Sequence, residues 1–303
     1  MIITKNFNNT VMKKLALLLT CGIATSFACT TFATFNGADD TLLMAKNRDN
    51  NPDRQVIEVV AEKGKLKYLA LSRQDVPDFV SAGINEKNLA VFNEVTIEYS
   101  ALAKGGIADD FSKDILQNYT NAKDVIPDLP KLIAKFPDPV FYQVADAKNI
   151  LSIEVAPNHK FSYKLVDRGV YAHTNNYQDE KLIKNYPYTE AEKARLLAST
   201  TRLNRARYLV AGESATSLQA MQNIALDRAA GTDDSIFRFG NLQNYRSSKS
   251  LAFFGVKIDK AGQNPGEFSA NLYYAGEKYN YVLNQQFWDK YNQQYTIVAA
   301  TGK

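Results

Sequence analysis

The chain has 303 residues, 45% hydrophobic and 22% charged, which is enough apolar content to bury a substantial core and places it among ordinary globular proteins. Its formal charge is +4, but Lys5, Lys13 and Lys14 lie in an N-terminal stretch without acids, so the remainder is near neutral. That balance argues against a nucleic-acid-binding protein, which carries a basic face.

Residues 1–28 have the tripartite pattern of a secretory signal. Met12-Lys13-Lys14 is basic, Leu15 to Ile23 is apolar, and the residues from Ala24 to Ala28 are mostly small. The apolar run is too short to span a bilayer, and no later stretch is apolar enough for a membrane helix. Cleavage after Ala28 predicts a periplasmic or secreted domain over residues 29–303, with no stable membrane insertion. Cys21 leaves with the leader, so Cys29 becomes the lone thiol of the mature chain and its first residue. Two plainer readings of Cys29 are a buried inert thiol and a lipid anchor. A lipid-anchoring motif prefers Leu three residues before the cysteine, where Ser26 stands.

From Cys29 onward Thr30 to Phe35 favour a strand, Asn36-Gly37 a turn, and Thr41 to Ala45 a second strand, with Lys46 to Pro52 read as a polar loop. Val56 to Ala61 and Leu66 to Leu71 form a hairpin across Lys63-Gly64-Lys65. Gly83 to Asn88 reads as a turn into a strand over Leu89 to Ile97. Ile107, Phe111, Ile115 and Tyr119 then share one helical face. A broken helical piece spans Leu129 to Phe136, with Pro127 and Pro130 nearby. Strands follow at Val140 to Val144, Ile150 to Val155, Phe161 to Val166 and Val170 to His173. Thr189-Glu190-Ala191-Glu192 is a capping box opening a helix to about Val210, and Thr216 opens another to about Ala229. Strands return at Leu251 to Ile258, Phe268 to Tyr274 and Tyr279 to Leu283. Strands and helices in blocks, without βαβ alternation, predict antiparallel sheets covered by helices in one α+β domain.

The residues limit the chemistry. His159 and His173 are the only histidines and no ligand spacing surrounds them, so a metal is not expected. No Gly-x-Ser-x-Gly elbow and no glycine-rich phosphate loop is present, and no cofactor is implied. A cysteine at a new N-terminus carries its own base, because a free α-amine has a pKa of about 7.7–8.0. Such a nucleophile needs a carboxylate beside the amine, oxyanion donors and a cation.

Cys29-Thr30-Thr31, Lys46-Asn47-Arg48-Asp49, Gly83-Ile84-Asn85-Glu86-Lys87 and His173-Thr174-Asn175-Asn176-Tyr177 occur in an order resembling the penicillin acyltransferase-like and choloylglycine hydrolase-like cysteine N-terminal nucleophile hydrolases. The resemblance covers most of residues 29–210. It implies a four-layer αββα sandwich of two antiparallel sheets and cleavage of a linear amide in an N-acylated small molecule, by hydrolysis or acyl transfer. It implies Cys29 as nucleophile and base, Asp49 as the carboxylate at the amine, Asn93 as an oxyanion donor and Asn175, with Asn176 competing, as a second asparagine. Of the helical pair Arg202 and Arg205, Arg205 is preferred at the site. Bile-salt hydrolases carry an arginine where Lys46 stands, while Arg48 occupies the middle of the motif, so which of Lys46 and Arg48 reaches Cys29 is left open. A cysteine dipeptidase of the same superfold, and a non-enzymatic binding protein anchored by lipid at Cys29, are the rival readings.

Overall fold

The computed structural model describes residues 28–36, 41–76, 79–98, 108–212, 215–240, 247–259 and 264–297. The leader up to residue 27, Gly37, the Gly105-Gly106-Ile107 lead-in and Gly262 lie outside them.

Two antiparallel sheets carry the described chain. The first has the order β10-β1-β2-β11-β12-β13, with β1 at Ala28–Asn36, β2 at Thr41–Asn50, β10 at Val170–His173, β11 at Lys249–Asp259, β12 at Gly266–Leu272 and β13 at Glu277–Leu283. The second has the order β14-β3-β4-β5-β6-β7-β8-β9. Its strands are β3 (Gln55–Val60), β4 (Tyr68–Arg73), β5 (Ala82–Asn85), β6 (Ala90–Val95), β7 (Val140–Ala145), β8 (Ile150–Ala156), β9 (Lys160–Val166) and β14 (Tyr295–Ile297).

Side-chain alternation divides each strand between two layers. Ala33, Leu42, Met44, Ala252 and Phe254 of the first sheet meet Ile57, Leu69, Ile84 and Phe92 of the second in the central core. The alternate residues Phe32, Leu43 and Phe253 face Leu203, Ala206, Val210 and Met221 of the helices α3 (Glu190–Ala211) and α4 (Leu218–Ala225). On the far side, Phe111, Ile115 and Leu116 of α1 (Ala108–Asn118) and Leu132 of α2 (Leu129–Lys135) cover Tyr68, Val91 and Tyr142 of the second sheet. The layers therefore run helix, sheet, sheet, helix. No described helix is long and apolar enough to cross a membrane.

The expected capping box is present: Thr189 Oγ1 accepts from Glu192 N, and Thr189 N donates to the Glu192 carboxylate. Most strands shift by one or two residues at their ends, and three further differences from expectation have a clear physical reason. Lys46 to Asn50 is strand, because β11 pairs with β2 from Thr41 to Asn50 and buries its polar end. Gly83-Ile84-Asn85 lies in β5, and the chain turns only after Asn85, whose side chain accepts from the backbone of Lys87 and Leu89. The helix opened near Thr216 is capped by Ser217 and stops at Ala225, four residues early. The strand placement of Gly83 has a steric consequence. A Cβ there would lie 2.7 Å from Leu116 Cδ1 and 3.0 Å from the Leu69 carbonyl oxygen. Gly83→Ala should therefore destabilise the fold by about 1–3 kcal/mol, read as a lowered urea midpoint with an unchanged m-value.

Candidate active site

Cys29 sits in β1 with 4% of its surface exposed, paired across the strand ladder with Arg48, while Ala28 pairs with Asp49 and Thr31 with Lys46. Alternation from Ala33 places the Cys29 side chain toward the central layer, where continuation from Leu42 and Met44 also places Lys46 and Arg48. Asn47 and Asp49 fall on the opposite, helix-covered face with Leu43 and Ala45. The nucleophile candidate thus has two environments, one for its sulfur and one for its nitrogen.

On the sulfur side both cations are buried. Lys46 Nζ donates to Ser81 O and Ser81 Oγ, each at 2.8 Å, and to the Asn93 carbonyl, crossing from one sheet to the other. Arg48 Nε donates to Gln55 Oε1 at 2.6 Å, and its guanidinium lies 4.6 Å over the Phe79 ring. Burial pushes the Cys29 thiol up from its ordinary pKa, against the opposing pull of Lys46 first and Arg48 second. Both cations act on the sulfur.

On the nitrogen side Cys29 N donates to Asn175 Oδ1 at 3.0 Å, an oxygen that also accepts from Arg202 Nη2 at 3.0 Å. Asn175 is itself fixed. Its Nδ2 donates to Val95 O at 2.8 Å and its backbone N–H to Ser199 Oγ at 3.0 Å. Asp49 Oδ1 accepts from Ser250 Oγ at 2.6 Å, whereas its Oδ2 is buried without a partner. Burial raises the Asp49 pKa to about 6, against the pull of Arg238 and Arg202. Those arginines carry open donors too, at Arg202 Nε and at Arg238 Nε and Nη1. Asn175, Arg195, Arg202 and Arg238 line a small cavity against Ala28, the residue just before the expected cut.

The structure thus gathers Cys29, Lys46, Arg48, Asp49 and Asn175, with Asn93 joined to them through Lys46, and turns Arg205 to another partner. Arg205, half-buried and one turn along α3 from Arg202, pairs with Asp227 at 2.7 Å instead of reaching Asn175. Arg202, 2% exposed, is the arginine that reaches Asn175. Strand alternation turns the Asn93 side chain toward the outer face of the second sheet, where Nδ2 donates to Val80 O and Ser112 Oγ, while its Oδ1 lies 3.4 Å from Lys46 Nζ. Phe92 and Glu94 take the central face in its place. Asn176 accepts from Thr174 and Ser199 hydroxyls, leaving the Cys29 nitrogen to Asn175. Ser250 and Arg238 were missed, since both join the site only through pairing of β11 with β2. Ser250 accepts from Arg238 N and donates to Asp49, which ties that loop to the carboxylate. Among the described residues no group of three or more His, Cys, Asp or Glu side chains is arranged to hold a metal ion.

The family described as acyl-coenzyme A:6-aminopenicillanic acid acyl-transferase matches residues 35–252. The chain belongs to this family. No curated protein matches it. Among solved structures, a variant of conjugated bile acid hydrolase from Clostridium perfringens is 14% identical, with a TM-score of 0.59, over 89% of this chain and 96% of that one. Penicillin V acylase from Agrobacterium tumefaciens is also 14% identical, with a TM-score of 0.52, over 85% of this chain and 89% of that one. At these identities the likeness carries the fold: this member of the acyl-transferase family has the N-terminal nucleophile hydrolase architecture, two antiparallel sheets between helices.

While the Ala28–Cys29 bond is intact, Asp49 binds its proton more tightly folded than unfolded, since its pKa rises from 3.8 to about 6. Its ionisation therefore opposes folding, and the stability of the uncut chain should fall as pH rises from about 4 to 6. Asp49→Asn should flatten that slope, which urea unfolding of both chains across this range measures.

Proposed function

We propose that this protein is a secreted or periplasmic hydrolase that cleaves a linear amide of an N-acylated small molecule through a thioester on Cys29, freed as N-terminal residue by removal of residues 1–28. The observation that carries the reading is the Cys29 nitrogen held on Asn175 Oδ1 near an Asp49 oxygen that lacks a partner. An amide nitrogen has one proton to donate, and a freed ammonium has three. Cutting after Ala28 supplies the donor that Asp49 Oδ2 lacks, and the ammonium in turn favours the ionised carboxylate.

The chemistry follows from the two faces. The neutral α-amine, with an ordinary pKa of about 7.7–8.0, takes the thiol proton. The sulfur attacks the acyl carbonyl, and the charge that develops is offset by Lys46 and Arg48 on the central face. The amine returns the proton to the leaving nitrogen, and water attacks the thioester to restore Cys29. A second amine in place of water makes the same thioester an acyl-transfer intermediate. For Asn93 to donate to the oxyanion, its amide must leave Val80 and Ser112. The conjugated bile acid hydrolase and the penicillin V acylase both act, by their names, on acylated amines, and that supports the substrate class.

Ala28 is 4% exposed and already paired in β1, so a signal peptidase must cut before this strand forms, or Cys29 must cut the bond itself. The same burial argues against a lipid anchor at Cys29. Edman sequencing or mass spectrometry of the secreted protein should find free Cys29 at the N-terminus; a diacylglyceryl group there sinks the enzyme reading. A panel of N-acyl amides assayed beside dipeptides separates the amidase from a dipeptidase. Cys29→Ala should reduce turnover by at least about a thousandfold with folding intact. Arg202→Ala should reduce kcat by about ten- to a hundredfold, whereas Arg205→Ala should leave it within about twofold, because Arg205 is paired to Asp227 and Arg202 is the one bonded to Asn175.

A further inference from the structure

We propose that His173 is a positioning residue for Cys29: held as an imidazolium between carboxylates of the facing sheet, it fixes the turn that brings Asn175 to the Cys29 nitrogen. The proposal rests on the reading of Cys29 as nucleophile.

His173 ends β10 and is completely buried between the sheets. Its Nδ1 lies 2.7 Å from the Thr174 carbonyl oxygen and 3.2 Å from Glu94 Oε2, and its Nε2 lies 2.9 Å from Glu154 Oε1. Every one of these neighbours is an acceptor. A neutral imidazole has a lone pair on one nitrogen and would aim it at oxygen; the doubly protonated ring donates at both. Glu94 comes from β6 and Glu154 from β8, so the ring pins the end of β10 to two strands of the other sheet. Two further rings pack on it: the Phe141 ring from β7 lies 4.5 Å away, and Tyr171 from its own strand stacks at 6.4 Å and bonds through its hydroxyl to Ser152.

The same carboxylates hold the rest of the turn. Glu154 accepts the backbone N–H of Gln178 at 2.8 Å and that of Asp179 at 2.9 Å. Val95, next to Glu94, supplies the carbonyl that receives Asn175 Nδ2. Asn175 therefore lies inside a loop whose entry and exit are both gripped by Glu154, and its own amide is anchored one residue beyond Glu94. Loss of the proton on His173 leaves two buried carboxylates with one fewer donor and loosens the loop at its entry.

Burial alone would lower the His173 pKa, but the hydrogen bonds it donates to Glu154 and Glu94 more than offset it and hold it at about 9. A histidine raised from 6.5 to about 9 contributes its full stabilisation below 6.5 and loses it as pH rises through about 9. The alkaline limb of turnover should carry that signature.

The test uses the processed enzyme on a His159→Asn background, which leaves His173 as the one histidine of the chain's two. Its ring proton is titrated by NMR, and kcat, KM and the rate of Cys29 alkylation by iodoacetamide are followed across pH 6–10. The alkaline limb of kcat should coincide with the His173 titration. Glu154→Gln should move both down together by about one unit or more. His173→Gln, checked for folding by circular dichroism, should remove that limb and lower kcat about tenfold with KM within about twofold. If Glu154→Gln shifts the NMR titration while the kcat limb and the alkylation profile stay fixed, the positioning role is overturned. Wild-type kcat in folded His173→Gln overturns it equally. Alkylation needs no substrate, so a Cys29→Ala chain that still turns over amides would defeat the nucleophile reading while leaving the His173–Cys29 coupling measurable.

Discussion

Buried charge between two sheets is the constraint on which the rest of this structure depends. A sandwich interior favours apolar residues, and most of this one is Leu, Ile, Val and Phe. At one end it holds Lys46, Arg48, Glu94, Glu154 and His173 instead, all buried. Each is tolerable there only with partners, because an unpaired ion in such a place is strongly destabilising. Lys46 finds its partners on Ser81 and Asn93 of the opposite sheet, and His173 finds Glu94 and Glu154. The sheets cannot slide at this end without stripping several charges at once.

That requirement also sets the register of the proposed nucleophile. β1 lies between β10 and β2, so the strand carrying Cys29 takes its position from His173 on one side and from Lys46 and Arg48 on the other. Strand alternation then sorts the chemistry. The sulfur shares the central layer with the two cations, while the nitrogen lies toward Asn175 and the arginines under the α3 helix. One residue of slip would exchange these environments and put the thiol among Arg202 and Asp49.

Several pieces were readable along the chain because their physics is local. The capping box at Thr189 is a contact between residues three apart, and it formed as written. The four-block order of motifs led to the acyl-transferase-like family, and the sheet–helix layering followed from blocks of period-two and period-3.6 apolar residues. The Lys46–Asp49 stretch misled, since its polarity reads as loop. It is strand because β11, two hundred residues later in sequence, covers it. Gly83 misled in the same way: a lone glycine suggests a turn, but here it makes room for Leu116 packed on a strand.

The sequence by itself determined which side chains were available for chemistry: a thiol, Cys29, at the end of an apolar N-terminal stretch, an aspartate and an asparagine in order after it, and a pair of arginines on a helix. Those are statements about composition and short spacing. Only the tertiary structure decided which arginine of the pair bonds Asn175, that the Asn93 amide nitrogen is engaged by Val80 and Ser112, and that Ser250 and Arg238 close around Asp49. Such choices depend on helical phase against a neighbouring sheet and on pairing between strands far apart in sequence. The cost of burying each charge is set by those distant partners, and no local pattern records them.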